Sequence, residues 1–279
     1  MGYPMAQNIS KFFRLKVYNR TKNKTIGLEN FNIKICESID QVCKDCDFLI
    51  TMLPSDNEVL DITPKLIQYM KKNSVVIDMS STKVNTAKKI YTELKNKNIN
   101  FLDAPVSGGP EGAKKATLAI MVGGDQNIFE KSTELLKTMG EPTWVGLNGS
   151  GQVAKLCNQI IVGINIGAVA EAIILCEKSG VDPKKLIKAL KGGFADSLVL
   201  RNHGIRMIEK DFIPRGKNST HLKDMVNILE QANKNDLDLP ISKIIKLMFE
   251  NLCKSGFSND DHSSLYNEIL KNSGAHSQN

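Results

Sequence analysis

The sequence is poor in aromatic residues: Phe, Trp and Tyr make up 6% of its 279 residues, with a single tryptophan. Its positive charge is not concentrated either. Lys and Arg number 37 against 30 Asp and Glu, a net +7, but they lie in no compact block and form no stripe with aromatics between them. Nucleic acid is therefore not an expected partner. A dispersed positive excess suits small anionic metabolites better. The six cysteines, at 36, 43, 46, 157, 176 and 253, form no disulfide framework. Several sit in apolar runs, as small core residues of a reducing compartment do, and a cytoplasmic location is expected. Cys43-Lys-Asp-Cys46 lacks a second pair, so no metal site is expected there. The four histidines (His203, His221, His262 and His276) show neither triad nor metal spacing, and His262 reads as the neighbour of a helix cap. No signal-peptide pattern is visible. Asn165 and Glu171 interrupt the longest apolar run, so no membrane span is expected. No repeat or low-complexity tract appears.

What is present is enough for a real core. Apolar residues are 41% and charged residues 24%, and the length fits one large domain or two ordinary ones. The chain is organised around 151–180, GQVAKLCNQIIVGINIGAVAEAIILCEKSG. It reads as one helix, roughly 45 Å long at about 1.5 Å per residue. Ile160, Ile161, Val162, Ile164, Ile166, Val169, Ile173, Ile174 and Leu175 put apolar groups all round it, so burial on every side is expected. Its polar exceptions, Lys155, Asn158, Gln159 and Asn165, fall within an arc of about 120°. A lysine buried there needs a reason, because desolvating an ammonium is costly. The bland alternative is an exposed first-turn lysine whose stem covers apolar surface.

Upstream, helical spacing covers 1–13, with Met5, Ile9, Phe12 and Phe13 on one face. Strands are expected at 15–18, 47–53, 74–79, 100–104, 117–122 and 143–145. Helices are expected at 55–70, 84–95 and 127–139. Strands apolar throughout and alternating with helices imply a parallel sheet covered on both faces, a doubly wound α/β domain of the Rossmann type over 1–149. After Gly149-Ser150-Gly151 the pattern turns all-α, over 150–279. Helices are expected at 151–179, 182–191, 196–210, 218–235, 240–254 and 262–271, the second opened by the cap Asp182 and Pro183.

Doubly wound dinucleotide domains open with a strand, then G-x-G-x-x-G, then a helix whose N-terminus holds the pyrophosphate. This chain goes straight from Met1-Gly2 into the helix, so Gly2 stands for the last glycine. The first strand and two glycines are expected upstream of residue 1, an N-terminally incomplete domain. At the end of the next strand, where NAD enzymes commonly place Asp or Glu, stands Asn19-Arg20-Thr21. An amide, a guanidinium and a hydroxyl suit a 2′-phosphate; the bland alternative is an ordinary polar turn. Further on, 103–109 reads DAPVSGG. A strand end followed by Ser107-Gly108-Gly109 offers adjacent N–H groups and a hydroxyl, a concave nest for a carboxylate or phosphate.

Taken in order, MGYPMAQNI, ITMLP, VIDMSS, DAPVSGGPEGA, MVGGD and GQVAKLCNQIIVGINI resemble the β-hydroxyacid dehydrogenase family over nearly the whole chain. That family spans 3-hydroxyisobutyrate dehydrogenases, tartronate semialdehyde (2-hydroxy-3-oxopropionate) reductases and glyoxylate/succinic semialdehyde reductases. Asn158-Gln159 followed by IIVGINI, GGFADS at 192–197, HGIRMI at 203–208, HLKD at 221–224 and DHSSL at 261–265 point to its tartronate semialdehyde branch. The resemblance implies a Rossmann domain, a long interdomain helix and an all-α domain used for oligomerisation, in a homodimer or homotetramer. It implies Lys155 as catalytic lysine and Ser107, Gly108, Gly109, Asn158 and Gln159 on the substrate side. For the cofactor it implies Met1, Gly2, Asn19, Arg20, Thr21, Met52, Leu53, Pro54, Ser81 and Lys223, with NADP(H) preferred, NAD(H) accepted and no metal. The sequence departs from the family at Gln159, where many members have Asn, and at Ala116, usually glycine. The segment after Pro54 is also shorter than usual.

The implied chemistry is reduction of a small carboxylate-bearing aldehyde to a hydroxyacid. Lys155 would hydrogen-bond the carbonyl oxygen and deliver a proton, or remove one in reverse. Burial and a cationic neighbour such as Lys223 would lower its pKa. The 107–109 nest would hold the carboxylate and so fix the carbonyl. A non-catalytic binding protein on the same fold would have no use for this whole set.

Overall fold

The computed structural model describes residues 1–272 and residue 274, so His276 lies outside the described residues. The chain divides into two compact units, Met1–Lys155 and a second beginning at Leu156.

The first unit opens with α1 (Gly2–Ile9), whose Met5 and Ile9 are buried. The helix is shorter than the periodicity implied. The N–H groups of Phe12 and Phe13 both turn back onto the Ile9 carbonyl, and the two rings are left exposed. β1 (Leu15–Val17) pairs in parallel with β2 (Ile33–Ile35), a strand the sequence reading did not anticipate. After α2 (Ile39–Cys43) come β3 (Phe48–Thr51), α3 (Asp56–Tyr69), β4 (Val75–Asp78), α4 (Val84–Lys95) and β5 (Asn100–Asp103). β3, β4 and β5 are parallel neighbours. All four residues of β4 are buried, as a strand covered on both faces should be. Val84, Ala87, Ile90 and Leu94 line the buried face of α4, a 3.6-residue period.

The sheet is not wholly parallel. β6 (Val106–Ser107), α5 (Gly109–Lys115) and β7 (Leu118–Gly124) follow, and β7 runs antiparallel to both β5 and β6. A parallel crossover needs a dozen or more residues, and the connection from β6 to β7 is shorter. α6 (Gln126–Lys137) then returns the chain to β8 (Gly140–Gly146), parallel to β7. Trp144, on β8, donates from its indole N–H to the Gly124 carbonyl at 2.9 Å. Six strands form one sheet in the order β3-β4-β5-β7-β6 with β8 on β7, and β1-β2 form a second. Apolar side chains of β4, β5, β6 and β7 meet those of α1, α5 and α6 in one core; a second core lies among α2, α3 and α4.

The last residues of the first unit begin α7 (Ser150–Lys178). By length and composition α7 could cross a membrane: an 18-residue stretch of it has a mean hydropathy of 2.0. Ile166, Ala170 and Ile173 are nevertheless fully buried in protein. The helix is not buried all round, as its composition implied. Val153, Ile161 and Leu175 are exposed at 41%, 60% and 69%, on one stripe with exposed Cys157.

The second unit continues with α8 (Pro183–Leu190), α9 (Leu198–Glu209), α10 (Asn218–Lys234), α11 (Pro240–Leu252) and α12 (Leu265–Asn272). Asp182 caps α8 through the Lys184 N–H, and Ser197 caps α9 through the Leu200 N–H. Among the described residues, Tyr266 and Phe249 are the largest fully buried side chains.

Candidate active site

In parallel α/β sheets, ligand sites form beyond the carboxyl ends of the strands. Met52-Leu53-Pro54 follows β3, and Ser80 and Ser81 follow β4. The Leu53 N–H donates to the Ser80 hydroxyl at 2.9 Å, which ties the two strand ends together. Met1 and Met52 lie against the same core, and Gly2 stands where an added Cβ would be 3.8 Å from the Met52 Cβ. The start of α1 thus adjoins the end of β3.

At the ends of β1 and β2 lies a cleft of about 260 Å³, lined by Asn19, Lys22, Ile26, Glu29, Cys36 and Glu37 among others. Arg20 and Thr21 are exposed beside it. The Asn19 side-chain oxygen accepts the Thr21 N–H at 3.0 Å, so part of Asn19's role is to shape this turn. Lys22 and Glu37 are ion-paired.

The turn at 107–109 is more structured than an open nest. Ser107 ends β6, Gly109 begins α5, and Pro110 occupies its first turn. Gly108 has φ 131° and Gly109 φ 61°, values glycine takes without strain. Both are exposed, so their backbone can meet a ligand closely. Ala116, at the end of α5, has φ 55°. That explains why glycine is usual there: a Cβ is strained in the left-handed region.

Lys155 is half-buried on α7, and its Nζ donates to the Val106 carbonyl at 2.9 Å. The fold therefore brings the ammonium to the residue preceding Ser107. Asn158 lies one helical turn beyond Lys155, on the same side of α7. In the second unit, the Asn158 amide donates to Gln159 Oε1 at 2.8 Å, and Gln159 Nε2 donates to Asp224 Oδ2 at 2.7 Å. Lys223 pairs with Asp224 Oδ1 at 3.2 Å. Sequence reading overlooked Asp224, although a buried acid beside a lysine on a helix asks for a polar partner. It also gave no role to Asp103 and Gln152, which are only 0% and 1% exposed. The signal available was a carboxylate closing an apolar strand.

The histidines also gather more closely than their spacing suggested. Ligand atoms of His203, Asp261 and His262 all lie within 4.8 Å of one another. The two imidazoles share a hydrogen bond, Nε2 to Nε2 at 2.7 Å. Asp261 caps the turn at 262–264, as the cap reading expected. Its carboxylate accepts from the N–H groups of Arg215, Gly216 and Ser263 and from the Ser263 hydroxyl. Burial works against its charge, but these donors and His262 hold its pKa down to about 2. Those lone pairs are engaged, which leaves the carboxylate a poor metal ligand.

Residues 1–161 match the NAD binding domain of 6-phosphogluconate dehydrogenase. Residues 149–269 match the NAD-binding domain of NADP-dependent 3-hydroxyisobutyrate dehydrogenase. The 2-hydroxy-3-oxopropionate reductase of Escherichia coli is 35% identical over 272 residues, 95% of this chain and 92% of that protein. The 3-hydroxyisobutyrate dehydrogenase of Mycobacterium tuberculosis, solved with L-serine, superposes with a TM-score of 0.87 at 24% identity, covering 96% of this chain and 95% of its own. Psf3, solved with NADP+ and 2-OPP, reaches 0.88 at 19% identity, over 96% of each chain. The protein is an oxidoreductase with a nicotinamide-cofactor domain, and the chain belongs to the 3-hydroxyacid dehydrogenase family of the 3-hydroxyisobutyrate dehydrogenase and tartronate semialdehyde reductase type.

Proposed function

We propose that the protein reduces 2-hydroxy-3-oxopropionate to glycerate, with NADPH preferred and NADH accepted. The observation that carries this is the Lys155 ammonium, half-buried and 2.9 Å from the carbonyl of Val106, immediately before Ser107-Gly108-Gly109. A cation beside a glycine-rich turn suits a substrate bearing both a carboxylate and a reactive carbonyl. The N–H groups and hydroxyl of 107–109 hold the carboxylate. Lys155 exchanges its bond to Val106 for one to the substrate oxygen, stabilises the charge that builds there and gives up a proton. In the reverse direction it takes the proton from the hydroxyl. Asn158 orients the substrate, and Gln159 keeps Asn158 in place. Met1, Gly2, Asn19, Arg20, Thr21, Met52, Leu53, Pro54, Ser81 and Lys223 hold the cofactor, which supplies the hydride when bound.

The alternative substrates are 3-hydroxyisobutyrate, glyoxylate and succinic semialdehyde. Asn158-Gln159 and the similarity to the Escherichia coli reductase favour 2-hydroxy-3-oxopropionate. The exposed apolar stripe of α7 supports a homodimer or homotetramer, and the free cysteines support the cytoplasm. The test is a kcat/KM panel over the four substrates with each cofactor, together with Lys155→Ala. The variant should lose kcat strongly with little change in cofactor affinity. Near-normal turnover in Lys155→Ala would overturn the mechanism, and a higher kcat/KM on another substrate would overturn the substrate.

A further inference from the structure

Asp103 closes β5 with no exposed surface. Its two oxygens face the start of α7: Oδ1 accepts the Gly149 N–H at 2.7 Å, and Oδ2 accepts the Gln152 N–H at 2.9 Å. Donors at the first turn of a helix have no partner inside the helix, so an outside acceptor decides where that turn sits. The approach depends on glycine. A Cβ on Gly151 would lie 2.3 Å from the Asp103 carbonyl oxygen, and one on Gly123 would lie 2.7 Å from Oδ1.

Gln152 grips from the other side. Its Oε1 accepts the Thr82 N–H at 3.1 Å, and its Nε2 donates to the Ser80 carbonyl at 2.9 Å, both just past β4. Lys155 stands one turn on from Gln152, and its ammonium reaches Val106, three residues after Asp103. The short segment 103–106 thus holds the helix start at one end and receives the lysine at the other.

We propose that Asp103 and Gln152 are positioning residues for Lys155: they clamp the first turn of α7 to the ends of β5 and β4 and so fix where the ammonium meets the reacting oxygen. The proposal rests on the reading of Lys155 as the proton-transfer group. The ionisable group facing Asp103 is Asp78, its register partner on β4. β7 brings the main chain of Gly123, its register partner there, and α7 brings N–H groups and Gln152. Burial raises the Asp103 carboxyl to about 7, against the bonds from Gly149 and Gln152 and with a further push from Asp78. Protonation removes one acceptor and so loosens that one local bond to the start of α7 as pH falls through that range, while it relieves the cost of the buried charge to the unit as a whole.

The test is a double-mutant cycle in kcat, with NADPH affinity and thermal melts measured alongside. Asp103→Asn keeps the shape but turns an amide N–H₂ towards one helix N–H. It should cut kcat about 10- to 100-fold, the cost of misplacing a reacting group by about 1 Å. NADPH affinity should hold within about twofold, and the acid limb of kcat should disappear. In a Lys155→Ala background the same change should cost less than about twofold, because there is no lysine left to misplace. Gln152→Met, which keeps the volume and loses both side-chain bonds, should repeat the pattern and stands in if Asp103→Asn fails to fold. Equal losses in both backgrounds would overturn the proposal in favour of a general structural role. Parental kcat in both variants, with Lys155→Ala impaired, would overturn the clamp while the reaction reading stands. Parental kcat in Lys155→Ala would overturn both.

Discussion

Acidification should act on the two units in opposite directions. In the second unit, burial pushes His203 and His262 down from 6.5 to about 3 and about 4, helped by the charge of His262 on His203 and of His221 on His262. Both rings are neutral when folded but take up protons below 6.5 when unfolded, so their contribution is present above 6.5 and is lost as pH falls. From pH ~6.5 to ~4.5 the folded rings stay unprotonated. Two rings over about two pH units, at about 1.36 kcal/mol per unit, remove up to about 5 kcal/mol. In the first unit, burial raises Asp103 to about 7 and Asp78 to about 6, above the ordinary 3.8. These carboxyls bind protons more readily when folded, so stability rises as pH falls below about 7, by about 3 kcal/mol from Asp103 alone at pH ~4.5. A global melt would blur the two trends. Native-state hydrogen exchange read by peptide, corrected for intrinsic rates, separates them. Peptides from α9 and α12 should lose protection between pH ~7 and ~4.5 while those from β4 and β5 hold or gain it. His203→Gln should reduce the loss in α9 by about half. Protection falling in both units together, or retained in α9 at the lower pH, would refute the reasoning.

Ala116→Gly should stabilise the protein by about 0.5–1 kcal/mol: relief of about 1–2 kcal/mol of left-handed strain, less glycine's extra entropy in the unfolded chain. A higher urea midpoint at unchanged slope is the expected reading; a lower midpoint would contradict it. Asn19→Asp should shift the ratio of kcat/KM values towards NADH, since the carboxylate keeps the acceptor for the Thr21 N–H but repels a 2′-phosphate. An NADPH preference unchanged by the swap would remove Asn19 from cofactor selection.

The legible parts of the fold were those where local pattern and tertiary burial agree. β4 is buried on every residue and α4 on one regular face, and both could be read from side chains alone. β6 and α5 could not, because Ser107-Gly108-Gly109 looks like loop and the helix it starts is too short to show a period. The reversal of β7 depends on that short connection, which no strand pattern records. α7 misled differently: its composition does not separate a face turned to the core from one left exposed at Val153, Ile161 and Leu175. Lys155 and the 107–109 turn were each visible, but the contact with Val106 spans 49 positions in sequence and exists only in the fold. The pairing of His203 with His262 spans 59.

Trp144 makes the first unit its own reporter. As the single tryptophan, tied by its indole N–H to the Gly124 carbonyl, it confines red-edge-excited emission to the β7–β8 side of that sheet. Far-ultraviolet circular dichroism is weighted instead to helices, which the second unit supplies in greater share. Followed together through a urea titration, the two signals time the units separately, and the gap between their midpoints measures how far each unit stands without the other.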